Sequence, residues 1–177
     1  MRITITCLFL LISFNFLMAQ RDFQNPVIKN FGGIYQIDEA IMLPDAGLNY
    51  KIVIDLFSGN DPATLNSSLN NVARMINLHA IGGVHPDSIQ VVLAIHGSAT
   101  KTVMRNAAYK ERYQVGNPNL DIINALMEAG VKLTVCGQSL IGSKISPSEV
   151  NEQVEIATSM LTTVTTYQHK GYTLLKF

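Results

Sequence analysis

The sequence predicts an α/β fold, with a mainly parallel sheet of four or five strands and helices on both faces. Three observations carry that expectation. Short β-branched runs alternate with segments of helical period along most of the chain. The run Ile89 to Ile95 (IQVVLAI) is apolar apart from Gln90, as a strand covered on both faces requires. Glycine and proline punctuate the boundaries between these runs.

The elements follow in order. Met1 to Ala19 reads as a secretory signal peptide. Arg2 supplies the basic start, Ile5 to Met18 is nearly continuous apolar sequence, and Ala19 is a small residue before the cut. A membrane anchor is the alternative, but the run is short of the about 20 residues a span needs. A lipoprotein would need a cysteine just after the run, whereas Cys7 lies inside it. The expectation is therefore export to the periplasm or outside the cell, with residues 1 to 19 removed and no membrane span left. Residues 20 to 48 carry Pro26, Gly32, Gly33, Pro44 and Gly47 without a sustained period. They read as an irregular extension that packs on the domain or on a neighbouring subunit.

The folded domain is expected over 49 to 177. Tyr50 to Leu56 is a strand. Asp61 is a candidate cap and Pro62 a first helical residue, for a helix that lines up Leu65, Leu69, Val72 and Ile76 and stops at Gly82-Gly83. After the strand Ile89 to Ile95, a helix is expected near Ala99, then a polar stretch to Gly116. Asn117 and Pro118 predict the start of another helix, with Leu120, Ile123 and Met127 buried and Gly130 at its end. Val131 to Val135 is a strand. Its alternation puts Lys132, Thr134 and Cys136 on one face. A last helix is expected to carry Val150, Val154, Ala157, Leu161 and Val164, before a final strand, Tyr172 to Lys176.

Composition excludes several functions. The 177 residues hold thirteen basic and thirteen acidic side chains, without the excess that nucleic-acid binding uses. Gly32-Gly33 and Gly82-Gly83 match neither a phosphate loop nor a dinucleotide fingerprint, so no cofactor is expected. The four histidines lack zinc-ligand spacing and no HExxH occurs, so no metal is expected.

Parallel sheets bind ligands beyond the carboxyl ends of their strands. Asp55, His96 and Cys136 all fall there, with Gly97, Gly137, Gln138 and Ser139 beside them. Once the signal is removed, Cys136 is the only cysteine, so no internal disulfide competes for it. A helix N-terminus and a histidine nearby would favour its reactive thiolate. The other reading is a buried, inert cysteine. His96 reads either as its acid–base partner or as a residue satisfying a carbonyl, and Asp55 either as part of the site or as a structural acceptor. Lys101, Arg105, Lys110 and Arg112 form either an anion-attracting rim or a solvated helix face.

From about Tyr50 to Phe177 the chain resembles the DsrE/DsrF-like family, most of all its exported branch. Three segments carry the resemblance: Ile95-His96-Gly97-Ser98, Leu126 to Gly137 (LMEAGVKLTVCG), and Tyr167-Gln168-His169-Lys170-Gly171-Tyr172. The resemblance implies a three-layer, flavodoxin-like α/β/α fold and a homo-oligomer. It also implies a persulfide-carrying thiol that exchanges sulfur with a donor or acceptor protein. The relay cysteine of the better-understood branch falls in the region that here reads Lys101 to Gly116, where this chain has none. Cys136 matches instead the strand-end cysteine of the exported branch. Two functions follow: a thiol-dependent sulfur or redox carrier using Cys136, or a non-catalytic oligomeric binding module in which Cys136 is structural.

Overall fold

A computed structural model describes residues 22–177. The signal segment and Cys7 lie outside the described residues. The extension opens with a small antiparallel pair, β1 (Phe23–Gln24) and β2 (Ile34–Tyr35). It is fastened to the domain through Asn77, a fully buried side chain. Asn77 Oδ1 accepts from the amides of Val27 and Ile28 at 3.0 and 2.9 Å, and its Nδ2 donates to the carbonyls of Phe31 and Gly32 at 3.0 and 3.1 Å.

Strand β3 (Tyr50–Leu56) leads to helix α1 (Ser67–Ile81). The helix starts later than Asp61-Pro62 suggests. Asn66 caps it, accepting from the Leu69 amide at 3.0 Å. Asp61 instead closes its own turn, accepting from the amides of Ala63 and Thr64. Asn66 prevails because two further bonds hold it: its amide donates to Asn119 Oδ1 and its Nδ2 to the Ser58 carbonyl.

Strand β4 (Ile89–Ile95) follows, then a 3₁₀ segment, Gly97–Val103, where an α-helix near Ala99 is the sequence expectation. The polar stretch holds helix α2 (Asn106–Tyr113), seated by the buried Tyr109. Helix α3 (Leu120–Glu128) begins at Asn119 rather than Asn117. Asn117 is taken up elsewhere: its Nδ2 donates to the carbonyls of Thr102 and Met104.

Strand β5 (Lys132–Cys136) runs directly into the short helix α4 (Gly137–Gly142). The largest departure comes next. Val150 and Val154 are buried, yet outside any helix, Val150 bridging to Met104, and Ala157, the third residue of their apparent helical stripe, lies in strand β6 (Glu155–Ala157). β6 pairs in parallel with β5 through Thr134↔Glu155, Val135↔Ile156 and Cys136↔Ala157. Its three residues are too few to print a period of two, while Val150 and Val154 reach one face of the sheet and Val164 of the following helix reaches the other. The true last helix, α5 (Met160–His169), is capped by Ser159, and β7 (Thr173–Lys176) ends the chain.

The sheet has five parallel strands in the order β6-β5-β4-β3-β7. Ile52, Ile54, Leu56, Val91, Leu93, Ile95, Leu133 and Val135 point to the main core, with Leu69, Val72 and Ile76 of α1 and Ile122, Ile123 and Leu126 of α3. Val53, Val92 and Ala94 point the other way and are covered by Val164 of α5. The result is three layers, α/β/α.

Candidate thiol site

The carboxyl ends of the strands are built by their exits. β3, β4 and β5 lead into helices on the α1 face; Leu140 of α4 belongs to that core. β6 leads into α5 on the opposite face. Outgoing connections therefore part between β5 and β6, the kind of crevice where open α/β sheets bind ligands. Cys136, the last residue of β5, sits there, and its strand partner is Ala157, the last of β6.

Cys136 is a free thiol, 5 % exposed. Burial is the largest single influence on it and pushes its pKa up. Hydrogen bonds from the Ser139 hydroxyl, the Met160 and Ser139 backbone amides and the Ser159 hydroxyl together outweigh burial, so the thiol lies below its ordinary value. Ser159 Oγ is 3.9 Å from Sγ and also accepts from the Leu161 amide. Ser139 Oγ accepts from the Gly97 amide at 3.2 Å, which ties the thiol's donor to the turn after β4.

His96 follows Ile95, whose strand partner is Val135, so the register carries it into the same row as Cys136, the residue after Val135. Its Nε2 is 2.5 Å from Asp55 Oδ1, with side chains 16 % and 13 % exposed. A carboxylate on one nitrogen fixes the imidazole's orientation and leaves Nδ1 as the basic position. Lys176 Nζ stands 3.7 Å from the other Asp55 oxygen, and the Phe57 ring packs 5.2 Å from the imidazole. Gly97 has φ +56°, and a Cβ there would lie 2.3 Å from the Phe57 ring. Glycine therefore fixes the turn that carries both His96 and the amide held by Ser139.

The structure thus joins two clusters at one sheet end: Cys136 with Ser139, tied to Gly97, and His96 with Asp55. Gly137 serves the fold, since a Cβ would meet the Ala157 carbonyl at 3.0 Å. Gln138 is exposed on α4. The cationic stretch is occupied elsewhere: Lys101 donates to the Asn60 carbonyl, Arg105 to Ser148, and Arg112 to Ser143 and Lys144. Sequence reasoning missed Ser159 and the Met160 amide. A serine before an apolar helical turn is a cap signal, but the misplaced last helix ran through it. Among the described residues no cluster of three metal-ligating side chains occurs, and no helix is long and apolar enough to cross a membrane.

The family model for the DsrE/DsrF-like family matches residues 51–177. This chain belongs to the DsrE/DsrF-like family. The thiol site and all of the five-stranded sheet but Tyr50 fall inside the match, and the extension falls outside it. Two solved structures share the fold. The ychN protein from E. coli is 21 % identical, with a TM-score of 0.53 over 72 % of this chain and 99 % of that one. MTH1491 from Methanobacterium thermoautotrophicum, described as a protein of unknown function, is 16 % identical with the same TM-score and coverage. No match emerged among functionally curated proteins.

Proposed function

We propose that this DsrE/DsrF-like protein is an exported thiol carrier that holds sulfur as a persulfide on Cys136. The observation that carries the reading is the set of hydroxyl and amide donors around the thiol, which favours the thiolate in spite of burial. In the step envisaged, the Cys136 thiolate attacks the outer sulfur of a donor persulfide, R–S–SH. The bond between the two donor sulfurs breaks, a Cys136–S–SH bond forms, and R–S⁻ leaves. Sulfur moves with no external oxidant or reductant. The donors that hold the thiolate suit the persulfide anion equally, and we assign to His96, which is held by Asp55, the proton transfer at the departing or arriving sulfur. The donor or acceptor is another thiol protein, and the carrier itself is a homo-oligomer.

The test is intact mass after incubation with a sulfane donor. The wild type gains one sulfur atom and Cys136→Ser gains none; a wild type that gains none defeats the carrier reading. Alkylation rate against pH for wild type and His96→Ala checks the histidine, since an unchanged profile removes it from the mechanism. N-terminal sequencing of the envelope fraction checks export: Gln20 is expected first, and intact Met1 in the cytoplasm would refute it.

A second reading rests on the 5 % exposure of Cys136. In it the thiol packs as a small apolar group and the chain is a non-catalytic oligomeric binding module.

A further inference from the structure

The extension ends in a surface that nothing in the domain uses. Between two anchors it forms a projecting tip. One anchor is the β1–β2 pair. The other is Pro44, which seats on Gly82 so closely that a Cβ there would lie 2.3 Å from its ring, with the Asp45 amide donating to Tyr50 Oη at 2.9 Å. The tip between them is apolar and bare: Ile41 is 101 % exposed, Met42 91 % and Leu43 63 %. Met42 and Leu43 also wall a cavity of about 450 Å³, together with Tyr35, Ile37, Leu78 and Ile81, while Ile41 stands outside it.

We infer that this surface is a two-fold contact between copies of the chain, each tip entering the other's groove. A projection and a matching cavity on one patch are what an isologous contact requires, because the same surface meets itself. The size agrees. At roughly 150–250 Å² per large side chain, the exposed parts of Tyr35, Ile37, Ile41, Met42, Leu43 and Leu78 amount to about 600–1,000 Å² when fully covered. A standard interface takes about 800 Å² from each partner. An apolar patch of this extent on a lone chain exceeds the few hundred Å² usual for monomers. The tip lies outside the family match at 51–177, whereas Leu78 and Ile81 among the groove's walls belong to α1 inside it, so the contact joins the extension to the domain.

The charges sharpen the test. Asp38 lines the groove and Asp45 follows Pro44. A two-fold contact brings these acidic rims together, so it strengthens as salt screens them. A basic partner protein would be held less tightly as salt rises. Sedimentation of the purified protein is compared with Ile41→Asp/Met42→Asp and with Ile41→Ser, at fully exposed positions where polar side chains leave the fold intact. The expected result is a wild-type particle of twice the mass of the double variant, with the wild-type association favoured by salt. Amide exchange over residues 37–48 slows with concentration in the wild type alone. Equal masses for wild type and double variant overturn the inference, as does an association that salt dissolves.

Discussion

Replacing Asn77 with alanine tests how firmly the extension is built onto the domain. Asn77 makes four hydrogen bonds of 2.9 to 3.1 Å to the backbone of Val27, Ile28, Phe31 and Gly32, from a fully buried position. At a net worth of about 1 kcal/mol each, their loss costs about 4 kcal/mol if the extension stays in place with its amides unsatisfied. The extension has another course, which is to lift off and give those amides to water. That exposes Ile28 and Ile34, now 1 % and 3 % exposed, at roughly 1.5–3 kcal/mol each, or about 3–6 kcal/mol together. The two costs are similar, so Asn77→Ala loses about 4 kcal/mol of docking free energy and residues 22–48 open locally while the sheet stays folded. Native-state amide exchange reads this directly: Val27 and Ile28 lose roughly a thousandfold of protection, and amides of β4 lose none. Protection at Val27 and Ile28 within tenfold of wild type would mean that Asn77 is not what fastens the extension.

Three further outcomes follow. Ser139→Ala and Ser159→Ala each remove a donor from the thiolate, so each raises the Cys136 pKa and slows alkylation at neutral pH; unchanged pH–rate profiles would remove both hydroxyls from the site. Gly97→Ala forces a side chain into the left-handed region and against Phe57, and costs about 1–3 kcal/mol by denaturant unfolding; a loss below about 0.5 kcal/mol would show that the turn adapts freely. Because the folded thiol pKa is lowered, ionised Cys136 stabilises the fold at and above the ordinary thiol value, and that contribution fades as pH falls through the lowered one. The stability of the wild type relative to Cys136→Ser therefore rises between about pH 7 and pH 10, and a flat difference would contradict the lowered pKa.

Strands with buried faces were legible in the sequence because apolar runs of five to seven residues have few other homes. Tyr50–Leu56 and Ile89–Ile95 stand in the structure with the bounds their residues suggest. Helix starts were legible only by type, since Asp61, Asn66, Asn117 and Asn119 are all good caps in isolation. The choice among them is made by contacts more than fifty residues away, such as the Asn66 amide on Asn119. The edge strand β6 was illegible because it is three residues long and its neighbours, Val150 and Val154, mimic a helical stripe. The site was legible as a strand-end rule applied to Asp55, His96 and Cys136. What the rule left out was the β6–α5 junction, so Ser159 and the Met160 amide went unseen, although they meet the thiol from the far side of the crevice.

Burial and hydrogen bonding pull the interpretation of Cys136 in opposite directions, and reagent size separates them. A structural cysteine needs only apolar neighbours, which raise its pKa and leave it inert. Here donors from α4 and from the start of α5 meet at the sulfur, an arrangement that packing alone does not require. Yet Cys136 as a residue is only 5 % exposed, so a bulky reagent is disfavoured relative to a slender one. The terminal sulfur of a persulfide is slender; an aromatic maleimide is not. The carrier reading therefore predicts size-selective reactivity in the folded protein. A methyl thiosulfonate modifies Cys136 rapidly at neutral pH, a bulky maleimide modifies it at least about tenfold more slowly, and unfolding in denaturant erases the difference. If neither reagent reacts until the chain unfolds, the sulfur is sealed and the structural reading holds. Equal, fast reaction with both would mean that the crevice stands wide open, contrary to the packing of Cys136.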